Sequence, residues 1–206
     1  MGKGIIQYQE YIIKRDTCYE AFKLVVDNFK IRSGIYPGSY VHITPSLIIS
    51  RMHYIDNDKK AIKFFTTMEE IYEYVNTNKI YSEDSNITFD GISYWEKPSI
   101  NEKYDLLISL YSGFISQASK RSLKVGGILL ANDSHGDATK AYLDADYEFI
   151  GVINDDEHEK TIKADHLDEY FRLKSGKDIN IEKVESKMKG PKYKLNSEYY
   201  IFRRIK

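Results

Sequence analysis

The six residues Asn132-Asp133-Ser134-His135-Gly136-Asp137, just after a strand candidate, hold the best candidates for chemistry in the sequence. An imidazole titrates near pKa ~6.5, so His135 is able to take a proton from a nucleophile at neutral pH. Asp133 stands two positions before it and Asp137 two positions after it. Three readings fit these residue types. Asp133 and His135 serve substrate or proton handling; or Asp133, His135 and Asp137 coordinate a divalent metal; or Asp133 and Ser134 cap the next helix and His135 is a loop residue. A second constellation does different work. Gly38 lets the backbone approach a ligand closely, and Asp56, 18 positions further on (38 to 56), is able to accept hydrogen bonds from both hydroxyls of a ribose. That spacing agrees with the roughly 20 residues expected between a glycine turn and a ribose-binding acid.

These residues need elements that place them at strand ends, where open α/β sheets bind ligands. About Tyr8 to Phe29 reads as two helices, with Tyr19, Phe22, Val25, Val26 and Phe29 forming one apolar stripe and Asp16 or Thr17 as cap of the second. Strands are expected at Ser33–Pro37, Met52–Ile55, Ile87–Phe89, Asp105–Ser109, Ile128–Ala131, Tyr147–Ile153 and Glu198–Arg203. Thr44-Pro45 reads as the start of a short helix, with Thr44 as N-cap. Further helices are expected over Lys59–Phe65, Met68–Asn76, Phe114–Leu123 and Ala138–Tyr142, with Gly126-Gly127 as the turn into the fifth strand. Strands alternating with helices imply an α/β fold, a mostly parallel sheet with helices on both faces, and the last two strands imply an antiparallel C-terminal edge. The strand ends then expose Tyr36, Gly38-Ser39-Tyr40, Asp56-Asn57, Asp90-Gly91, Ser109-Leu110-Tyr111 and the Asn132–Asp137 run. Nothing marks a linker or a repeat, so one domain over 1–206 is expected: a helical extension (1–31), a ligand-binding core (32–153) and a C-terminal edge and cover (154–206).

On these motifs the sequence resembles the class I S-adenosylmethionine-dependent methyltransferase superfamily. Ile35-Tyr36-Pro37-Gly38-Ser39 sits where that family has its glycine-rich first motif, and Tyr54-Ile55-Asp56-Asn57-Asp58 is similar to its second-strand acidic motif. Asp90-Gly91 falls where the family contacts adenine. Tyr104-Asp105-Leu106-Leu107-Ile108-Ser109 is similar to its fourth strand, and Leu123-Lys124-Val125-Gly126-Gly127-Ile128-Leu129-Leu130 to its "LKPGG" turn and fifth strand. The resemblance spans about residues 30 to 153 and implies a Rossmann-like fold with S-adenosylmethionine as cofactor. It places the ribose on Asp56, the amino-acid portion on Gly38 and Ser39, the adenine edge on Asp90, and Ser109 to Tyr111 facing the methyl centre. The N-terminal helices would form a lid over the substrate. Two departures stand out. The first loop reads Gly38-Ser39-Tyr40-Val41-His42, without the family's second and third glycines, so the Tyr40 side chain would fill or stack along the space of the methionine portion. The fourth strand ends in Ser109-Leu110-Tyr111, without the Asn/Asp-Pro-Pro-aromatic signature of base methylation.

Composition narrows the partners. The net charge of −1 gives no case for nucleic-acid binding, and the apolar runs are far short of the ~20 residues that span a bilayer. Cys18 is the only cysteine, which excludes an internal disulfide, and Met1 to Asp16 has no apolar signal core, so a cytoplasmic, reducing location is expected. Acids crowd Asp155 to Glu169, and lysines crowd the segment after Lys174, a solvated surface or a docking face for an anionic partner. His42 and His53 read as structural residues; His158 and His166 lie in the acidic stretch without ligand spacing. The expected activity is methyl transfer to a small-molecule acceptor, in an oligomeric state that is left open. The alternatives are a methyltransferase-like binding or scaffold protein without transfer activity, and a metal-dependent hydrolase built on Asp133, His135 and Asp137.

Overall fold

Strand β1 (Ser33–Pro37) is buried at all five positions, as expected of a strand covered on both faces. It belongs to a computed structural model that describes residues 3–156 and 159–206. The chain divides into two compact units, Met1–Glu102 and Lys103–Lys206.

In the first unit, helices α1 (Lys3–Lys14) and α2 (Tyr19–Phe29) precede β1. The apolar stripe of α2 buries Ala21, Phe22 and Val25. Strand β2 (Arg51–Ile55) pairs parallel with β1, and β3 (Asn86–Asp90) pairs parallel with β2. The register sets Pro37 opposite Ile55 and Ile55 opposite Asp90, so Gly38, Asp56 and Gly91 leave the three strands along one edge. Helices α3 (Lys59–Phe65) and α4 (Met68–Asn78) connect β2 to β3, and α1 packs on both. Asp58 caps α3, its carboxylate accepting from the amides of Lys60 (2.7 Å) and Ala61 (3.3 Å). Only a 3₁₀ turn, Thr44–Leu47, lies between β1 and β2.

The second unit holds β4 (Tyr104–Ser109), β5 (Leu123–Ala131), β6 (Tyr147–Asp156), β7 (Glu159–Lys163) and β8 (Tyr199–Arg204), in the order β4-β5-β8-β6-β7. β4 and β5 are parallel; β5–β8, β8–β6 and β6–β7 are antiparallel. Three short helices, α5 (Ile115–Ala118), α6 (Asp137–Tyr142) and α7 (Ile181–Lys187), accompany them. The expected α/β class, parallel strands with an antiparallel C-terminal edge and a helical N-terminal extension, is what the chain adopts.

Several local expectations are corrected. The helix expected over Phe114–Leu123 is only α5 followed by a 3₁₀ turn, Lys120–Ser122. Ser116 spends its amide and hydroxyl on Asp137, and Ser119 ends the helix; serine bonds locally at the expense of helix. Gly126-Gly127 is not a turn before the fifth strand but lies inside β5, which starts at Leu123. The β4–β5 register slips between Tyr104 and Leu106, and Gly126 takes φ +83. The N-cap position of α2 is Cys18, in the left-handed region and without a side-chain cap; Thr17 accepts from the Tyr19 amide beside it, and Asp16 plays no capping role. The N-cap of the Thr44–Leu47 turn is Ile43 rather than Thr44. Part of the acidic stretch forms β7, and the lysine-rich segment contains α7; neither element is visible as apolar periodicity. His158 lies outside the described residues.

A Cβ on Gly127 would stand 2.7 Å from Leu123 Cδ1 and 2.9 Å from the Lys124 carbonyl oxygen. Gly127→Ala should therefore lower the free energy of urea unfolding by about 1–3 kcal/mol; an unchanged midpoint would show that the strand absorbs the methyl group.

Candidate functional site

The loop after β1 is shaped by two left-handed residues, Gly38 (φ +67) and Tyr40 (φ +51). Glycine adopts that conformation without strain, whereas Tyr40 needs a compensating contact. Asp56 supplies it. Its Oδ2 accepts from the Tyr40 amide at 2.7 Å and its Oδ1 from the Asp58 amide at 2.8 Å. The Gly38 amide donates to the Ile55 carbonyl at 2.7 Å, and the Asp56 amide to the Asp90 carbonyl at 3.1 Å. One carboxylate thus clamps the loop after β1 to the loop after β2, with charge-assisted bonds. A carboxylate has about four lone-pair sites, so two amides leave acceptor capacity on Asp56. Asn57 beside it is exposed, and Ser39 is buried, its hydroxyl 3.5 Å from the Tyr40 carbonyl.

The Tyr40 ring turns toward α1. It lies 5.6 Å from the Tyr11 ring, and its hydroxyl is 3.5 Å from Gln7 Nε2. Beside it opens a cavity of about 620 Å³ walled by Tyr11 and Lys14 of α1, Tyr40, and Lys60, Lys63 and Phe64 of α3. The first helix therefore forms a wall of this cavity, a part that sequence reading assigned only as a lid. Gln7, Lys14 and Lys63 were not singled out, and Lys60 reads from the sequence only as part of a solvated helix face, because solvent-facing helix positions carry no distinguishing pattern.

Asp90 is engaged. It accepts from His53 Nε2 at 2.9 Å and from the Ser99 amide and hydroxyl at 2.8 and 2.5 Å. Burial works to raise its pKa, but the Ser99 bonds and His53 outweigh that and hold the carboxyl below its ordinary value. His53 and Ser99 were missed as partners because nothing in their spacing links them to Asp90. Tyr36 points its hydroxyl at His42 Nδ1 (3.3 Å), while His42 Nε2 faces the Thr17 carbonyl at 3.0 Å. A carbonyl only accepts, so Nε2 carries a proton. Burial lowers its pKa to about 4.

In the second unit the catalytic candidates divide. Asp133 accepts from the Thr139 amide and hydroxyl (2.8 and 2.9 Å), serving the first turn of α6 from outside the helix. Asp137 is fully buried and accepts from the hydroxyls of Ser109 and Ser116 (both 2.5 Å) and the Ser116 amide (2.9 Å). Burial raises both carboxyls to about 6. The Ser109 hydroxyl thus serves Asp137, and Leu110 is buried. Tyr111 (φ +59) has an exposed ring and donates its amide to Asn132 Oδ1 at 3.3 Å. His135 Nδ1 lies 3.0 Å from the Ser134 hydroxyl and not against either aspartate. Among the described residues, no group of three or more His, Cys, Asp and Glu side chains is placed to hold a metal ion, which removes the geometric basis of the hydrolase reading. No described helix is long and apolar enough to cross a membrane.

The fold agrees with known structures. A putative O-methyltransferase from Klebsiella pneumoniae superposes with a TM-score of 0.51 at 6% identity, over 79% of this chain and 88% of that one. A methyltransferase from Geobacter sulfurreducens gives 0.49 at 11% identity, over 77% and 85%. The O-methyltransferase TomG from Streptomyces achromogenes, solved in complex with SAM, gives 0.48 at 7% identity, over 79% and 87%. No family model matches the sequence, and no curated protein matches it. At 6% identity the likeness to the Klebsiella pneumoniae structure is one of fold.

The buried titratable groups respond to acid with opposite signs. His42 and His53 have folded pKa values below the unfolded value near 6.5, so below pH ~6.5 the unfolded chain binds protons that the native chain does not. Their contribution is lost as pH falls, for His42 by roughly 3 kcal/mol at pH 4. Asp133 and Asp137, raised to about 6, bind protons in the native chain first, so their contribution grows as pH falls from about 6 toward 4. Amide hydrogen exchange, corrected for intrinsic rates, should show protection around β1 and α2 falling between pH 7 and 5 while that around α6 holds or rises. A uniform change in both regions would contradict these assignments.

Proposed function

We propose that this protein is an S-adenosylmethionine-dependent methyltransferase acting on a small-molecule acceptor. The observation that carries the reading is Asp56: a nearly buried carboxylate at the end of β2 that fixes the left-handed glycine loop after β1 and keeps acceptor capacity for a ribose diol. The residues fit that cofactor. Only a single 3₁₀ turn follows the loop, so no long helix N-terminus is offered to a pyrophosphate, which favours a cofactor lacking phosphates. The Tyr40 ring packs toward Tyr11 and Gln7, which leaves the loop backbone of Gly38 and Ser39 to receive an amino-acid moiety.

The cofactor supplies a methyl group that is already electrophilic. The chain's own tasks are to bind, align the acceptor and exclude water. In this reading the cavity beside Tyr40 receives the acceptor, between the Tyr11 and Tyr40 rings and the α3 lysines. Asp133 and Asp137 are spent on structure, which leaves neither carboxylate free to act as a base.

A second reading is favoured by that same commitment of carboxylates: a methyltransferase-fold protein that binds the cofactor without transferring from it. Calorimetric titration with S-adenosylmethionine and S-adenosylhomocysteine separates the outcomes. Micromolar binding is expected, weakened at least tenfold in Asp56→Asn and unchanged in Tyr72→Phe, with folding of both variants checked by circular dichroism. Binding without turnover on a panel of phenols, amines and carboxylates would favour the second reading. No binding of either compound would contradict both.

A further inference from the structure

Between β7 and β8 the chain builds a second cavity, of about 520 Å³, lined by Lys174, Lys177, Lys183, Lys187, Lys189 and Lys192. A single acid, Asp178, joins them in the lining, so six positive charges converge against one negative. None of the six has an ion-pair partner among the described residues, although Lys23, Lys120, Lys124, Lys140 and Lys160 elsewhere all do.

This is a built structure rather than a basic tail. Leu173 and Tyr193 form an antiparallel bridge, flanked by the Lys174 amide on the Lys192 carbonyl (3.1 Å) and the Lys194 amide on the Arg172 carbonyl (2.8 Å). Tyr193 is buried and its hydroxyl lies 2.7 Å from Thr139 Oγ1. Gly190 sits on the loop after β5, its amide on the Asp133 carbonyl at 3.2 Å, where any Cβ would collide with the Asp133 side chain. Asn180 caps α7 through the Lys183 amide (2.8 Å). The helix then sorts its charges by face. Lys183 and Lys187, four residues apart, line the cavity, while Glu182 and Glu185 do not, and Glu185 pairs with Lys140 instead.

Uncompensated like charges around one concavity repel one another, and a ligand of opposite charge relieves that repulsion. The lining also indicates the ligand's chemistry. It contains no arginine for bidentate recognition and no aromatic ring on which a nucleobase could stack. Lysine ammonium groups act as point charges on phosphate oxygens. The cavity's size falls within the ~300–1,000 Å³ of small-ligand sites.

We propose that this cavity binds a compact, multiply phosphorylated small ligand, recognised through clustered phosphates rather than through a base. The site does not depend on the methyltransferase reading. The test uses the full chain and inorganic tripolyphosphate, titrated calorimetrically at 150 mM salt. Saturable one-to-one binding is expected, at least tenfold tighter than for orthophosphate or citrate. Lys183→Gln/Lys187→Gln should weaken it at least tenfold, and Lys97→Gln/Lys103→Gln should leave it unchanged. Circular dichroism checks both variants, and a Lys189→Gln/Lys192→Gln pair provides a second lesion outside α7. Citrate binding as tight as tripolyphosphate, an oligothymidylate binding tighter, capture by phosphatidylserine vesicles in place of tripolyphosphate, or no saturable binding would each overturn the proposal.

Discussion

The Asp56 carboxylate is the constraint on which the candidate cofactor site rests. A backbone carrying Tyr40 at φ +51 is strained for a residue with a bulky side chain, and it persists because a charged acceptor holds the Tyr40 amide. The same carboxylate holds the amide of Asp58, which in turn caps α3. Loop, strand end and helix start are therefore one hydrogen-bonded unit. Parallel pairing makes this possible, because the register of β1, β2 and β3 ends the three strands level and releases Gly38, Asp56 and Gly91 side by side.

The second unit satisfies its buried polar groups by a different device. Asp137 is enclosed by serine donors, and Asp133 by Thr139, so each carboxylate organises a short helix where helix propensity is low. An aromatic cluster around Phe149, Phe171, Tyr200 and Phe202 provides the apolar contact, with ring centroids 5.0–5.3 Å apart for Phe149–Phe171, Phe149–Phe202 and Phe171–Tyr200. Those acids looked like chemistry in the sequence; in the fold they are chiefly architecture, and the Asn132, Ser134 and His135 side chains of that run bond to neither of them.

What could be read in advance follows from which signals are local. Ser33–Pro37 and Lys59–Phe65 were legible to the residue, the strand because a short apolar run before a glycine announces itself. The pair Gly38 and Asp56 was legible from spacing. The Gly126-Gly127 bulge was not, because a glycine pair reads as a turn until the neighbouring strand fixes its register. Strand β7 (EKTIK) carries charges at both ends and gains its structure from pairing with β6, which no local pattern reveals. The His53–Asp90–Ser99 network joins residues up to 46 positions apart in sequence (53 to 99), and only the parallel β2–β3 register brings His53 to Asp90.

The proposed function requires the loop clamped by Asp56 to receive a nucleoside. The most direct measurement is a nuclear magnetic resonance titration of the ¹⁵N-labelled full chain with S-adenosylhomocysteine, following assigned amides. The account predicts saturable shifts at Gly38, Tyr40, Asp56 and Asp58, with the amides of β7 unmoved. Absence of any saturable shift at those four, or shifts confined to the second unit, would contradict it.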